Sequence, residues 1–298
     1  MIFLKKTIKN IYKRLLADQI KDHGFIVRLE ALNNVTHTCE TPGVTDEKYH
    51  DKDIIVSLTT YGDRLYEVYL TIESIMQQTM KPNRIVLWLE DSLKNADLPI
   101  VLKRQQERGL EIKYCEDLRS YKKLIPSLEA FPDDVIITID DDNFYHFDLL
   151  ENFINAFRKN PNLIYCSRAH KIKLKNKNKL RAYKHWIHNY QGQEASLLIF
   201  PTGSGGVLYP PGCLNKEVTN KKIFLDICRY ADDVWFKAMA LLNDTKARKV
   251  YSHKYGEFNN RNAQTSSLSE INIDKSMNDA QLKAVFDKYN LYEKLRGL

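Results

Sequence analysis

An α/β fold, with a mainly parallel central sheet flanked by helices, is predicted by three observations. From Asp53 to Leu242, short apolar runs alternate with segments of helical periodicity. The run Val135–Ile139 is unbroken and rich in β-branched residues, as in a strand buried on both faces. The breaks are short, such as Pro82-Asn83 and Pro132-Asp133-Asp134. Strands at this spacing with intervening helices imply right-handed βαβ units and a doubly wound sheet.

The elements follow in order. Leu4, Ile8, Ile11, Tyr12, Leu15 and Ile20 approximate one stripe with lysines between them, predicting a basic amphipathic N-terminal helix. Ile54–Leu58 is a strand that ends in the turn Thr59-Thr60-Tyr61-Gly62. Leu65–Gln78 reads as a helix with Val68, Ile72, Ile75 and Met76 on one side, and Ile85–Leu89 as a second buried strand. Pro99–Arg108 is helical, Glu111–Cys115 a third strand, Leu124–Phe131 a short helix and Val135–Ile139 the central strand. Phe147–Lys159 is a helix and Leu163–Ser167 a strand. Residues 171–184 alternate at period two around Asn176-Lys177-Asn178, which reads as a basic hairpin. The stretch 201–206 is a loop whose small residues Gly203–Gly206 allow close backbone approach. Asp232–Leu242 is a helix capped by one of its first two acids. Lys249–Ser252 is strand-like, Asn259–Ser276 a polar stretch, and Asn278–Leu295 a final amphipathic helix.

Composition excludes several classes. The 298 residues are 43% hydrophobic, enough for a substantial core. No apolar run approaches the roughly 18–20 residues of a membrane span. The five cysteines are scattered without a CxxC pair, so they read as free thiols in a reducing compartment. The start of the chain lacks the long apolar run and small-residue cleavage site of a secretory signal. The formal net charge of +7 is uneven. Residues 1–22 carry +4 and residues 171–184 carry +7, so the remainder is at −4. Two basic segments flank a slightly acidic body. Either can meet an anionic membrane surface; the first can equally pack on the protein's own body, and the second also reads as a solvated charged flap. Nucleic acid is not expected, since no recognised nucleic-acid-binding signature accompanies the lysines.

The chemistry centres on Asp140-Asp141-Asp142, at the carboxyl end of the central strand. Ligands of open α/β sheets bind beyond strand carboxyl ends. Residues two apart on extended chain project to one side, so Asp140 and Asp142 can converge on one ion. Two hard carboxylates suit Mg²⁺ or Mn²⁺. A second acidic pair, Asp232-Asp233, opens a helix, where an acid can cap or act as a base.

With these residues in view, the sequence resembles nucleotide-sugar-dependent glycosyltransferases of the GT-A fold, whose DxD motif sits at this strand end. The resemblance spans roughly residues 53–250 and is carried by VSLTTYGDRL, KPNRIVLWL, DLRSYKKLIP, VIITIDDDNFY, PTGSGGVLYPPG and ADDVWFKAM. Collectively these look like bacterial enzymes of capsule, lipopolysaccharide or exopolysaccharide assembly.

The resemblance implies a GT-A, Rossmann-like sheet and a division of labour. Residues 1–50 would form the basic arm, 51–165 the nucleotide-sugar-binding half, 166–257 the acceptor side, and 258–298 a linker and helix. Thr59, Tyr61 and Arg64 would meet the donor's base and ribose, with Asp117, Lys122 and Lys123 also at the nucleotide. Asp140 and Asp141 would contact the donor, and Asp140 and Asp142 the metal, with His253 as a further ligand. Asp233 would be the base of an inverting transfer, supported by Asp232. Gly205 and Gly206 would shape the acceptor side, with Trp235 either a wall or sugar platform there or a core side chain. The implied cofactor is Mn²⁺ or Mg²⁺, and the donor a UDP-sugar. The acceptor would be a glycan, free or lipid-linked, with the protein in the cytoplasm or peripheral on the inner face of its membrane. Metal-dependent sugar nucleotidyltransfer is the alternative reaction, although the first loop holds a single glycine, Gly62. A non-catalytic glycan- or membrane-binding module of the same fold is the other.

Overall fold

The computed structural model describes residues 22–176, 179–250, 258–259 and 277–296. The predicted N-terminal stripe over residues 4–20, the hairpin's central Lys177, and His253 lie outside the described residues.

Residues 22–38 form a helix, α1. Then follow β1 (Ile54–Thr59), α2 (Val68–Met76), β2 (Arg84–Glu90), α3 (Ile100–Glu107) and β3 (Leu110–Cys115). Next come α4 (Ile125–Ala130), β4 (Val135–Thr138), β5 (Asn143–Phe144), α5 (Leu149–Lys159), β6 (Ile164–Cys166) and β7 (Ala169–Lys171). The basic hairpin is β8 (Leu174–Asn176) paired antiparallel with β9 (Lys179–Leu180). The chain continues through β10 (Ile199–Pro201), β11 (Val207–Tyr209), α6 (Lys221–Ile227), α7 (Asp232–Leu242), β12 (Ala247–Lys249), β13 (Phe258–Asn259) and α8 (Met277–Tyr289).

Seven strands make the main sheet, in the order β12-β6-β11-β4-β1-β2-β3. The pairs β1–β2, β1–β4, β2–β3 and β6–β12 are parallel, while β11 runs antiparallel to both β4 and β6. The predicted mainly parallel sheet is therefore present, and the one reversed strand, β11, is not singled out by the sequence. Val207–Tyr209 is apolar and short, and a three-residue run does not disclose its direction.

Burial follows the period-two rule for strands. Ile54, Val56 and Leu58 of β1 pack with Ile72 and Ile75 of α2 and Phe153 and Phe157 of α5. The alternate residue Ile55 faces Val86, Trp88 and Phe131 across the sheet. On that opposite side, beyond β4, the larger cluster gathers Tyr121, Phe224, Trp235, Phe236 and Phe286 around α6, α7 and α8. The N-terminus of α7 is thereby aimed at the loop that follows β4. All the described cysteines are free thiols. Among the described residues, no helix is long and apolar enough to cross a membrane.

Candidate active site

The aspartate loop after β4 is fixed by α2. The Thr71 hydroxyl of α2 donates to the Asp141 carbonyl at 2.9 Å, and Ser74 Oγ accepts the Tyr145 amide at 3.1 Å. Tyr145 closes the loop from the other end. Its hydroxyl accepts the Asp140 amide at 2.9 Å and donates to the Ser204 carbonyl at 3.2 Å. One phenol thus joins the aspartate loop to the Gly203–Gly205 turn, 59 residues on.

The three aspartates then take different roles. Asp141 is turned inward and buried. Its carboxylate accepts from the Thr60 hydroxyl at 2.6 Å and from Arg64 Nη1 at 2.8 Å. This corrects the reading of Asp141 as a donor contact, since its side chain is buried inside the loop and serves to build it. Asp140 and Asp142 keep exposed side-chain surface, 30% and 16% respectively. Asp142 lies 3.3 Å from Arg64 Nη1. Burial, then the charges of Asp140 and Asp141, push its carboxyl up to about 6. Carboxylates held this close resist joint ionisation, which is the environment a divalent cation relieves.

Lys123 lies at the centre. The Ser57 hydroxyl of β1 donates to its backbone carbonyl at 2.6 Å, anchoring the turn that carries it. Its amine lies 2.8 Å from Asp140 Oδ1 and 2.9 Å from Asp232 Oδ2. Burial alone would lower this amine's pKa, but Asp140, Asp232 and Asp233 together hold it well above its ordinary value. The ammonium therefore ties the end of β4 to the start of α7.

Asp233 completes the cluster. Both its carboxylate oxygens accept the Gly203 amide at 3.1 Å. Burial, then the neighbouring charge of Asp232, raise its pKa, with Lys123 opposing. A carboxyl so raised is a better proton acceptor than an exposed aspartate. Gly203 is required here by its surroundings. A Cβ on it would stand 2.6 Å from Lys123 Nζ and 3.2 Å from both Asp140 Oδ1 and Asp233 Oδ1.

Other expected site residues are dispersed. Tyr61 is exposed, with the Arg64 guanidinium 5.3 Å from its ring centre, so both flank the mouth of the loop. The Thr59 hydroxyl donates to the Trp88 carbonyl at 2.8 Å. The buried Lys122 turns away from Lys123 and pairs with the exposed Asp117 at 2.9 Å. Gly205 packs against Ser167 and Arg168, and Gly206 (φ +85°) against Phe153 and Leu149, so the glycine that enters the charged cluster is Gly203. Trp235 is a correction. It is fully buried in the core, and its indole nitrogen donates to the Val218 carbonyl at 2.9 Å, so it meets no acceptor. Its position two residues after Asp233 sends it to the opposite side of α7. Thr60 and Tyr145 are not singled out by the sequence, since no local pattern marks their hydroxyls, and Gly203 is marked there only as part of the Gly203–Gly206 loop.

No cluster of three metal-ligating side chains is present among the described residues. Asp140 and Asp142 remain as a hard-oxygen pair that suits a cation taking further ligands from phosphate and water.

Residues 58–216, more than half of the chain, match the family model described as Glycosyl transferase family 2. Solved structures with similarity include the inositol-1-phosphate CTP transferase from T. maritima. It is 9% identical with a TM-score of 0.43, over 80% of this chain and 98% of that one. A CMP:2-keto-3-deoxy-manno-octonic acid synthetase complexed with CTP is 12% identical with a TM-score of 0.40, over 68% and 90%. No curated protein matches the chain.

Proposed function

Because the chain belongs to glycosyl transferase family 2, we propose that it moves a sugar from a nucleotide-sugar donor, UDP-linked, to a glycan acceptor. The acceptor is a growing bacterial surface polysaccharide, and the transfer inverts the sugar's anomeric centre. The observation that carries this reading is the Lys123 bridge. It brings Asp140 and Asp232, about ninety residues apart in sequence, to one point beyond the strand ends, and Asp233 stands beside them around Gly203.

Each residue has work to do in that reading. Asp142 and Asp140 would hold Mn²⁺ or Mg²⁺, and a bound divalent cation neutralises charge on a departing nucleoside diphosphate. His253 remains a candidate further ligand. Lys123 keeps the carboxylates of β4 and α7 at fixed separation. Asp233 accepts the proton of the acceptor hydroxyl as that oxygen attacks the anomeric carbon. Gly203 holds the Asp233 carboxylate by its amide, so the base meets the substrate in one orientation. Tyr61, at the mouth, offers an apolar face to the donor's base. The basic hairpin of β8 and β9 offers lysines to an anionic acceptor or membrane surface.

Calorimetry with a panel of nucleoside diphosphates and nucleotide sugars tests the reading. Tighter binding with Mn²⁺ or Mg²⁺ than with chelator is expected for at least one, and Asp142→Ala should remove the difference. If no nucleotide shows a metal-dependent gain, the proposal fails. The gain should also depend on pH. Asp142 is pushed up to about 6, so above that pH the carboxylate is free for the cation. Below it, a proton must be displaced, and the metal-dependent affinity should fall by about tenfold per pH unit.

A second variant tests the close approach of backbone to charge. In Gly203→Ala the new methyl displaces the Lys123 amine, whose position depends on a gap that only glycine leaves. Transfer should fall by roughly 10²-fold, the scale of a misplacement of about 1 Å. The unfolding midpoint should hardly move, because the displaced atom is the end of a flexible side chain. Full activity in Gly203→Ala would remove this turn from the site.

A further inference from the structure

One buried cation takes no part in the arrangement above. Lys237 lies four residues after Asp233 on α7, so the two side chains share a face of that helix. Lys237 is 3% exposed, and its amine has no hydrogen-bond partner among the described residues. A buried, unpartnered ammonium is costly, so a structure that keeps one calls for an explanation.

The geometry offers one. A cavity of about 10 Å³ lies between α7 and the sheet, and both Asp233 and Lys237 line it, with Tyr209, Phe236, Ile164 and Pro201 among its walls. That volume is close to what one water needs, and two polar groups give such a water its partners. The Asp233 oxygens receive only the Gly203 amide among the hydrogen bonds seen, so lone pairs remain to accept another.

We propose that Lys237 is a positioning residue for Asp233, joined to it by a single water in this cavity and holding the carboxylate ionised and aimed before the acceptor arrives. This rests on the reading of Asp233 as the base. Lys237 makes no contact with substrate and undergoes no covalent change.

The groups that face the pair define the electrostatics. The charge of Asp233 is felt by, or feels, Lys123, Asp140 and Asp232, the phenols of Tyr121, Tyr183 and Tyr209, and the thiols of Cys166 and Cys228. Lys237 is faced by Cys166 from β6 and by Tyr209 from β11. Burial lowers the Lys237 pKa to about 7. The amine is therefore charged on the acid side of neutrality, the range in which Asp233 needs help to stay ionised.

Lys237→Met removes the charge and nearly keeps the volume, and Lys237→Gln keeps a hydrogen-bond donor without charge. In either, the acidic limb of the pH dependence of kcat should move up by about one pH unit, as expected for losing one opposite charge across a water. The Asp233 carboxylate, followed by ¹³C NMR and assigned by its loss in Asp233→Asn, should titrate higher by the same amount. A role in packing alone would change the unfolding midpoint and leave both titrations in place, and that result overturns the proposal. If Asp233→Asn keeps full transfer, the reading of Asp233 as base has failed, and the NMR titration by itself then decides the coupling. Should Lys237→Met not fold, Lys237→Gln carries both measurements.

Discussion

Asp233→Asn is expected to lower transfer by about 10³-fold, within the range for loss of a general base, while donor affinity stays near the wild-type value. The substitution is nearly isosteric, and the side-chain oxygen of asparagine can still accept the Gly203 amide. Lys123 keeps two of its carboxylate neighbours, Asp140 and Asp232, so the bridge from β4 to α7 survives. What the amide lacks is the capacity to take a proton. Misfolding does not account for such a loss. Asp233 is desolvated and repelled by Asp232, so its carboxyl is raised, and replacing it by a neutral group relieves that repulsion. The unfolding midpoint should therefore hold or rise. Initial rates, a calorimetric donor titration and thermal unfolding on the same preparation separate these effects. Transfer at the wild-type rate would take Asp233 out of the mechanism.

The layout of the fold was legible wherever one element carried its own signal. β1, β2 and β4 are apolar runs bounded by turn residues, and their parallel pairing follows from the helices between them. The aspartates after β4 could be placed at a strand end from Val135–Ile139 alone. What was hidden was the set of long-range choices. That Asp141 faces inward is decided by Thr60 and Arg64, about 80 residues earlier in the chain. Lys122 and Lys123 are adjacent and chemically alike, and only the turn anchored by the Ser57 hydroxyl sends one to the site and the other to Asp117. For Trp235 an aromatic beside acids suits a sugar platform or the core alike, and the helical angle of about 100° per residue turns it into the core. Gly203 lay within a glycine-rich loop, but its neighbours come from three separate segments, and no window of sequence contains them.

Glu73→Ala is expected to destabilise the fold by roughly 3–5 kcal/mol, the cost of leaving one partner of a buried ion pair behind. Glu73 is fully buried in α2, and its two oxygens accept Arg108 Nη1 at 2.8 Å and Nη2 at 3.0 Å. Gln105 of α3 donates to it at 3.2 Å, and the Thr36 hydroxyl of α1 stands 3.4 Å away. One carboxylate therefore joins three helices on one side of the sheet, and its removal strands a guanidinium that is 5% exposed. Against total stabilities of about 5–15 kcal/mol, that loss lowers the denaturant midpoint severely. The same helix supplies Thr71 and Ser74, which hold the aspartate loop, so nucleotide affinity should weaken at temperatures where the variant is still folded. A double substitution, Glu73→Leu with Arg108→Leu, separates the loss of the pair from the stranding of a charge. If the stranded guanidinium dominates, the double variant recovers much of the stability, since well-packed apolar side chains replace such pairs at little cost. If Glu73→Ala lowers the unfolding free energy by less than about 1 kcal/mol, Arg108 has found water or another acceptor. The link from this ion pair to the aspartate loop would then be refuted.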